Sequence, residues 1–243
     1  MAKTIVLAHG ILGFGNLTGL PAPIHYFNGV AAHLQAQQHQ VIETQVNPIG
    51  SVAQRGDLLA KEILRRAPAG ERVHIIAHSM GGLDARHAIT NVAGFKDRVE
   101  TLVTIGTPHR GSPVADAIAN RAGPLFPHIP NFLVDLLHRN VGGLHDLTTA
   151  FGQHFDATTP DVPGVRYIEV AGDASRGGHE LFLFQLAEVV GRIEGDVNDG
   201  VVTRKSALID RRGTSIWTIG PSITPAKSDG AWTRHSLLFF NRP

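Results

Sequence analysis

Ser79 stands in Ala77-His78-Ser79-Met80-Gly81-Gly82, at the end of the apolar run Val73-His74-Ile75-Ile76. A serine hydroxyl attacks a carbonyl carbon once a base takes its proton. Small residues two positions before and after it let a buried strand turn straight into a helix, and Ala77 and Gly81 are such residues. The pattern is one methyl away from G-x-S-x-G. On that elbow the hydroxyl sits at a helix N-terminus, where backbone N–H groups and the helix dipole favour negative charge. Ser79 could instead simply cap the helix from Met80 to about Ala93. A cap needs no small flanks, so the nucleophile is the preferred reading.

A serine nucleophile needs a histidine as base and a carboxylate that fixes the imidazole tautomer. On a strand-to-helix elbow the chain order is serine, acid, histidine. His235 is the sole histidine after His179 and is the expected base. Asp173, Asp196 and Asp199 compete as the acid. Asp173 follows a strand and fits the topology best. Asp199 lies in Asn198-Asp199-Gly200-Val201-Val202, a tight turn that aims a carboxylate while the apolar residues after it are buried. Asp199 is chosen. A developing oxyanion needs two converging donors. The glycine-rich turn His9-Gly10-Ile11-Leu12-Gly13 lacks the G-x-G-x-x-G spacing and lysine of a phosphate loop. The N–H of Ile11 is therefore expected to converge with that of Met80. His9, His78 and His109 are expected to be wall residues or loop anchors, and without an H-E-x-x-H motif no metal site is expected.

These groups must be positioned by alternating strands and helices. Thr4–Ala8 reads as a strand covered on both faces, followed by a helix from Tyr26 to about Gln37 and a strand over Val41–Val46. A helix from Ser51 to about Ala67 follows, capped by Ser51, with Leu58, Leu59, Ile63 and Leu64 inward. Val99–Ile105 is the next strand and Gly106–Ser112 its exit loop. Strands at Val165–Ala171 and Ser215–Ile219 flank a helix over Phe182–Val190. The expected fold class is α/β, a mostly parallel sheet with helices on both faces and its site beyond the C-terminal strand ends. Residues 113–162 break the alternation with Pro124, Pro127, Pro130 and Pro160 and a cluster of Phe126, Ile129, Phe132, Leu133, Leu136 and Leu137. They are expected to form an insertion over the site, as a lid or a fixed cap.

A length of 243 residues suits a single domain spanning 1–243. Lys plus Arg is 22 against Asp plus Glu 21, which points away from nucleic acid. Zero cysteines excludes disulfides and thiolate chemistry. No transmembrane run and no signal-peptide pattern are seen, so a cytoplasmic protein or one exported without a signal peptide is expected. A monomer is expected.

Four motifs in order carry a resemblance. Ile5-Val6-Leu7-Ala8-His9-Gly10 with Leu12-Gly13-Phe14, the Ser79 elbow, Ile105-Gly106-Thr107-Pro108-His109-Arg110-Gly111-Ser112, and Asn198-Asp199-Gly200-Val201-Val202 are similar to segments of the bacterial lipases of the α/β-hydrolase fold, the Pseudomonas, Burkholderia and Proteus type. The resemblance implies a triad of Ser79, Asp199 and His235, with Ile11 and Met80 as oxyanion donors. It also implies cleavage of carboxylic esters, acylglycerols first, at a lipid–water interface and without an organic cofactor. A short-chain esterase, a depolymerase of aliphatic polyesters and a non-catalytic binder of hydrophobic ligands are the rivals. The chain departs from the family at Ala77, in a shorter insertion, and at Leu237, where many members carry a calcium-binding aspartate. Calcium takes six to eight oxygen ligands. Asp173, Glu180 and Asp196 lack the spacing of a dedicated loop, and no calcium is expected.

Overall fold

A computed structural model describes residues 2–11, 27, 29–120, 141–174, 181–209 and 215–219. Strand β1 (Thr4–Ala8) is buried at every position, as a continuously apolar strand requires. It pairs in parallel with β2 (Gln40–Glu43) on one side and β3 (Val73–His78) on the other. Beyond β3 follow β4 (Val99–Ile105), β5 (Arg166–Gly172) and β6 (Ser215–Ile219). The described strands form one six-stranded parallel sheet in the order β2-β1-β3-β4-β5-β6. The chain leaves β1 for β2 and then returns to the opposite flank of β1, so the winding reverses between β1 and β3. In open α/β sheets ligands bind where the winding reverses, which here is at the C-terminal ends of those two strands. Those ends deliver His9-Gly10-Ile11 and Ser79.

The helices are α1 (Val30–Ala36), α2 (Val52–Arg66), α3 (Met80–Asn91), α4 (Pro113–Ala119), α5 (Val141–His145), α6 (Thr149–Thr158), α7 (Leu181–Glu194) and α8 (Arg204–Ala207). Tyr26, the expected start of the first helix, lies outside the described residues. Ser51 caps α2 as expected, its side chain accepting from the Gln54 N–H while the Gln54 side chain accepts in return from the Ser51 N–H. Two inward assignments on α2 need correction. Leu59 and Ile63 are buried, but Leu58 is 44% and Leu64 40% exposed. At about 100° per residue each leucine lies a quarter-turn off the stripe that Leu59 and Ile63 share. That stripe continues back through Arg55 to Val52.

Two apolar clusters hold the layers together. Val6, Ala8, Ile75 and Ala77 of the sheet pack with Leu59 and Ile63 of α2 and Ala85, Ala88 and Ile89 of α3. The second cluster joins Met80 and Leu83, at the start of α3, to Val114, Ala115 and Ile118 of α4, Leu144, Leu147 and Phe155. Both described ends of the expected insertion are therefore packed against the helix that follows Ser79. Phe126, Ile129, Phe132, Leu133, Leu136 and Leu137 lie outside the described residues. Among those described, no helix is long and apolar enough to cross a membrane.

Arg55 and Asp84 pair between α2 and α3 with side chains 0% and 1% exposed. The guanidinium donates through Nε to Asp84 Oδ2 at 2.9 Å, through Nη1 to the Asn47 carbonyl and through Nη2 to the His9 carbonyl, both at 2.8 Å. Asp84 Oδ1 has no hydrogen-bond partner among the described residues. Burial pushes the Asp84 carboxyl up to about 7, against the downward pull of Arg55. Over the window from the ordinary value of 3.8 to about 7, the folded protein keeps a proton that the unfolded chain has released. The native state then binds more protons, so this group's contribution to stability is full at the acid end and is lost as pH rises through the window. Denaturant unfolding of wild type and Asp84→Asn between pH 4 and pH 8 should show that falling slope in wild type and a flatter profile in the variant. Parallel profiles would mean that Asp84 stays ionised throughout.

Candidate active site

Ser79 has φ +54° and ψ −130°, and it and Gln38 are the non-glycine residues with positive φ among those described. Such a conformation costs on the order of 1–3 kcal/mol and persists where the surroundings over-determine it. They do so here. The Ser79 N–H donates to the Ile105 carbonyl at 2.9 Å, and the Ser79 carbonyl accepts from Thr107 Oγ1 at 2.8 Å and from the Gly82 N–H at 3.0 Å. Although Ser79 occupies the N-cap position of α3, its side chain makes no capping hydrogen bond. The capping alternative thus lacks the bond that defines it, and the hydroxyl has no partner among the described residues.

The loop after β1 approaches the same helix start. A Cβ on Gly81 would meet the Ala8 carbonyl oxygen at 2.6 Å and that of His9 at 2.7 Å. Glycine two residues after the serine is therefore demanded by the exit of β1. His9 anchors that exit, with Nδ1–H donating to the Gly10 carbonyl at 2.8 Å and Nε2 accepting from the Val46 N–H at 3.4 Å. Burial lowers its pKa and keeps the ring neutral. Arg55 holds the His9 carbonyl from below. Ile11 then packs against the cluster that contains Met80. Neither the Ile11 nor the Met80 N–H donates to a described residue, and the Met80 N–H directly follows Ser79 in the chain.

The three competing carboxylates separate. Asp196 is committed to the start of α8, accepting from the Lys205 N–H at 2.8 Å with Arg204 at 3.5 Å. Asp173 is half-buried at the exit of β5. Asp199 reaches that same sheet edge from its turn. Its Oδ1 accepts from the N–H groups of Val201 and Val202 at 2.9 and 2.8 Å. A Cβ on Gly106 would lie 2.9 Å from its Oδ2, and one on Gly172 only 2.8 Å from its own Cβ. The carboxylate thus sits in a socket made by the glycines that end β4 and β5, one strand away from Ser79. No described residue donates to Oδ2. Burial raises the Asp199 pKa above its ordinary value, opposed by the N–H groups of Val202, Val201 and Asp199 itself.

The loop between β4 and α4 ties these parts together. His109 is buried, its Nδ1 accepting from Arg86 at 3.0 Å and its Nε2–H donating to Thr104 Oγ1 at 3.1 Å. Arg86 also reaches Asp156 and the Thr159 carbonyl and lies over the Phe155 ring. His109 is thus a loop anchor, while His78 is exposed at the strand end. His235 and Leu237, and with them the expected base and the calcium position, lie outside the described residues. The motifs did not include Arg55, and they contained Thr107 and Ser112 without giving either a role. Of these, Arg55 had a readable signal, a cation inside the apolar stripe of α2.

Residues 29–133 match the family model of the PGAP1-like alpha/beta domain. The chain is 33% identical over 190 residues to triacylglycerol lipase 2 of Saccharomyces cerevisiae, covering 76% of this chain and 57% of that one. A triacylglycerol lipase of Vibrio cholerae is 35% identical over 117 residues, 47% of this chain and 35% of its own length. The chain therefore spans between a third and three-fifths of these relatives. Among solved structures, the mature Bacillus licheniformis lipase BlEst2 superposes with a TM-score of 0.69 at 26% identity, over 88% of this chain and 82% of that one. Staphylococcus hyicus lipase, at 18% identity and a TM-score of 0.62, shares the fold.

Contact between Gly81 and the exit of β1 makes a direct prediction. Gly81→Ala must push the Ala8 and His9 carbonyls away, and Ile11 with them. The variant should react with an activated ester or a serine-directed phosphonate about 10²–10³-fold more slowly, the loss expected when one oxyanion donor is removed. Unchanged reactivity would show that the β1 loop takes no part.

Proposed function

We infer that this chain, an α/β hydrolase homologous to yeast and bacterial triacylglycerol lipases, cleaves carboxylic esters through an acyl-serine intermediate. The observation that carries the reading is the Ser79 elbow, strained at φ +54° with a hydroxyl that caps nothing. Ser79 Oγ attacks the ester carbonyl carbon while His235 Nε2 takes its proton. The N–H groups of Ile11 and Met80 hold the oxyanion. Collapse breaks the bond to the alkoxy oxygen, and the imidazolium returns the proton to the departing alcohol. Water then repeats the sequence on the acyl-serine and frees the acid.

Asp199 is the acid in this scheme. Oδ1 is occupied by Val201 and Val202, which leaves Oδ2 to accept from His235 Nδ1–H. A carboxylate whose pKa is raised by burial gains most from a cationic neighbour, and the imidazolium formed during attack is one. Chain order and the resemblance assign His235. Substrates are acylglycerols met at a lipid–water interface, by analogy with the named relatives. Residues 113–162 form the lid or cap of the one domain over the acyl site, a reading supported by the packing of Val114, Ile118 and Leu144 with Met80.

Kinetics of single substitutions test the triad. Ser79→Ala should lose a factor on the order of 10³ or more in kcat. Asp199→Asn should lose about four decades as the histidine tautomer is freed, with Asp173→Asn near wild type. Collapse in Asp173→Asn with Asp199→Asn intact would reverse the assignment. Rates on esters of increasing chain length, below and above the concentration at which each forms an interface, separate a lipase from a short-chain esterase. Activity confined to short, dissolved esters would contradict the acylglycerol assignment.

A further inference from the structure

The geometry points to Ser112 as a positioning residue for the triad acid, acting through the peptide unit that links Val201 to Val202. This rests on Asp199 being the acid of the proposed triad. The Ser112 Oγ–H donates to the Val201 carbonyl at 2.6 Å. That carbonyl belongs to the same planar peptide as the Val202 N–H, which donates to Asp199 Oδ1 at 2.8 Å. The hydroxyl therefore grips one end of a rigid plane whose other end grips the carboxylate. A bond to the oxygen of an amide polarises its N–H and strengthens the bond that N–H makes.

Ser112 is itself immobile. It is 2% exposed, its N–H donates to the Leu147 carbonyl at 2.9 Å, and its Oγ accepts from the Ala115 N–H at 3.4 Å as the cap of α4. A second serine fastens the same two segments in the opposite sense. Ser206 Oγ–H donates to the Gly111 carbonyl at 2.6 Å and accepts from the Arg110 N–H at 3.1 Å. Asp199 follows α7 rather than a strand, so no sheet ladder fixes its turn in line with β4. Ser112 and Ser206 tie it instead to the loop leaving β4, and with it to the elbow through Thr107.

The test is a double-mutant cycle on a soluble short-chain nitrophenyl ester, with kcat, KM and the pH profile of kcat/KM measured for wild type, Ser112→Ala, Asp199→Asn and the double variant. Ser112→Ala should lower kcat about 10- to 100-fold with KM within about twofold. A carboxylate that no longer bears squarely on the imidazole stabilises the imidazolium less, so the acid limb of the profile should move to lower pH. Ser112→Thr, which retains the hydroxyl, should recover most of the loss. In the Asp199→Asn background, Ser112→Ala should cost less than about twofold, because the group it acts through is gone. Equal losses in both backgrounds, or a lower melting temperature with kcat and the pH profile unmoved, would overturn the role of Ser112 alone. A near-normal rate in Asp199→Asn would overturn the acid assignment and this inference with it. Should Ser112→Ala fail to fold, Ser206→Ala cuts the other tie, and the same non-additivity with Asp199→Asn is expected.

Discussion

The backbone of Ser79, turned to φ +54° at the junction of β3 and α3, is the constraint on which the rest of the structure depends. An L-residue holds that conformation only when its neighbours allow no other. The Ile105 carbonyl takes its N–H, Thr107 holds its carbonyl, and the exit of β1 presses on Gly81. Two of these restraints come from the end of β4 and the third from the end of β1. The elbow is therefore a property of the sheet edge, and its strain points an unshared hydroxyl outward at the N-terminus of a helix.

A buried charge stands behind that edge. Arg55 joins α2, Asp84 of α3 and the His9 carbonyl in one hydrogen-bonded unit, so the loop bearing Ile11 is fixed to the helix that Ser79 begins. Buried ion pairs contribute little net stability against apolar replacements of the same shape, and their best-attested use is to specify an arrangement. Arg55 fits that use. On the other flank the β4 exit loop, anchored by His109 and Arg86, is hydrogen-bonded to the turn that bears Asp199. Two networks thus place the loop bearing Ile11 and the turn bearing Asp199 independently.

Local chemistry was legible where it acted locally. Ala77 and Gly81 announced the elbow because sterics at a strand-to-helix turn are set within two residues. Ser51 and Gln54 announced the start of α2, and the spans Val99–Ile105 and Ser215–Ile219 emerge as strands with those bounds. Contacts between distant segments were not legible. Leu58 and Leu64 read as inward from their apolar character, whereas the buried stripe includes Arg55, with partners supplied by Asn47, His9 and Asp84. Ser112 closes the exit-loop motif, and nothing near it in the sequence says that its proton goes to Val201. Asp173 fits the topology of the sheet best, and Asp199 is chosen from its turn alone. Folding brings Asp199 to the same strand end, against Gly172.

The central claim is that Ser79 becomes covalently acylated during turnover. Rapid acid quench of the protein mixed with a nitrophenyl ester, followed by intact-mass and peptide mass spectrometry, tests it directly. An adduct of one acyl group is expected at early times, carried by the peptide that contains Ser79 and formed together with nitrophenol release. An adduct on another residue, or sustained hydrolysis with no adduct at any time and no phosphonate labelling of Ser79, would contradict it.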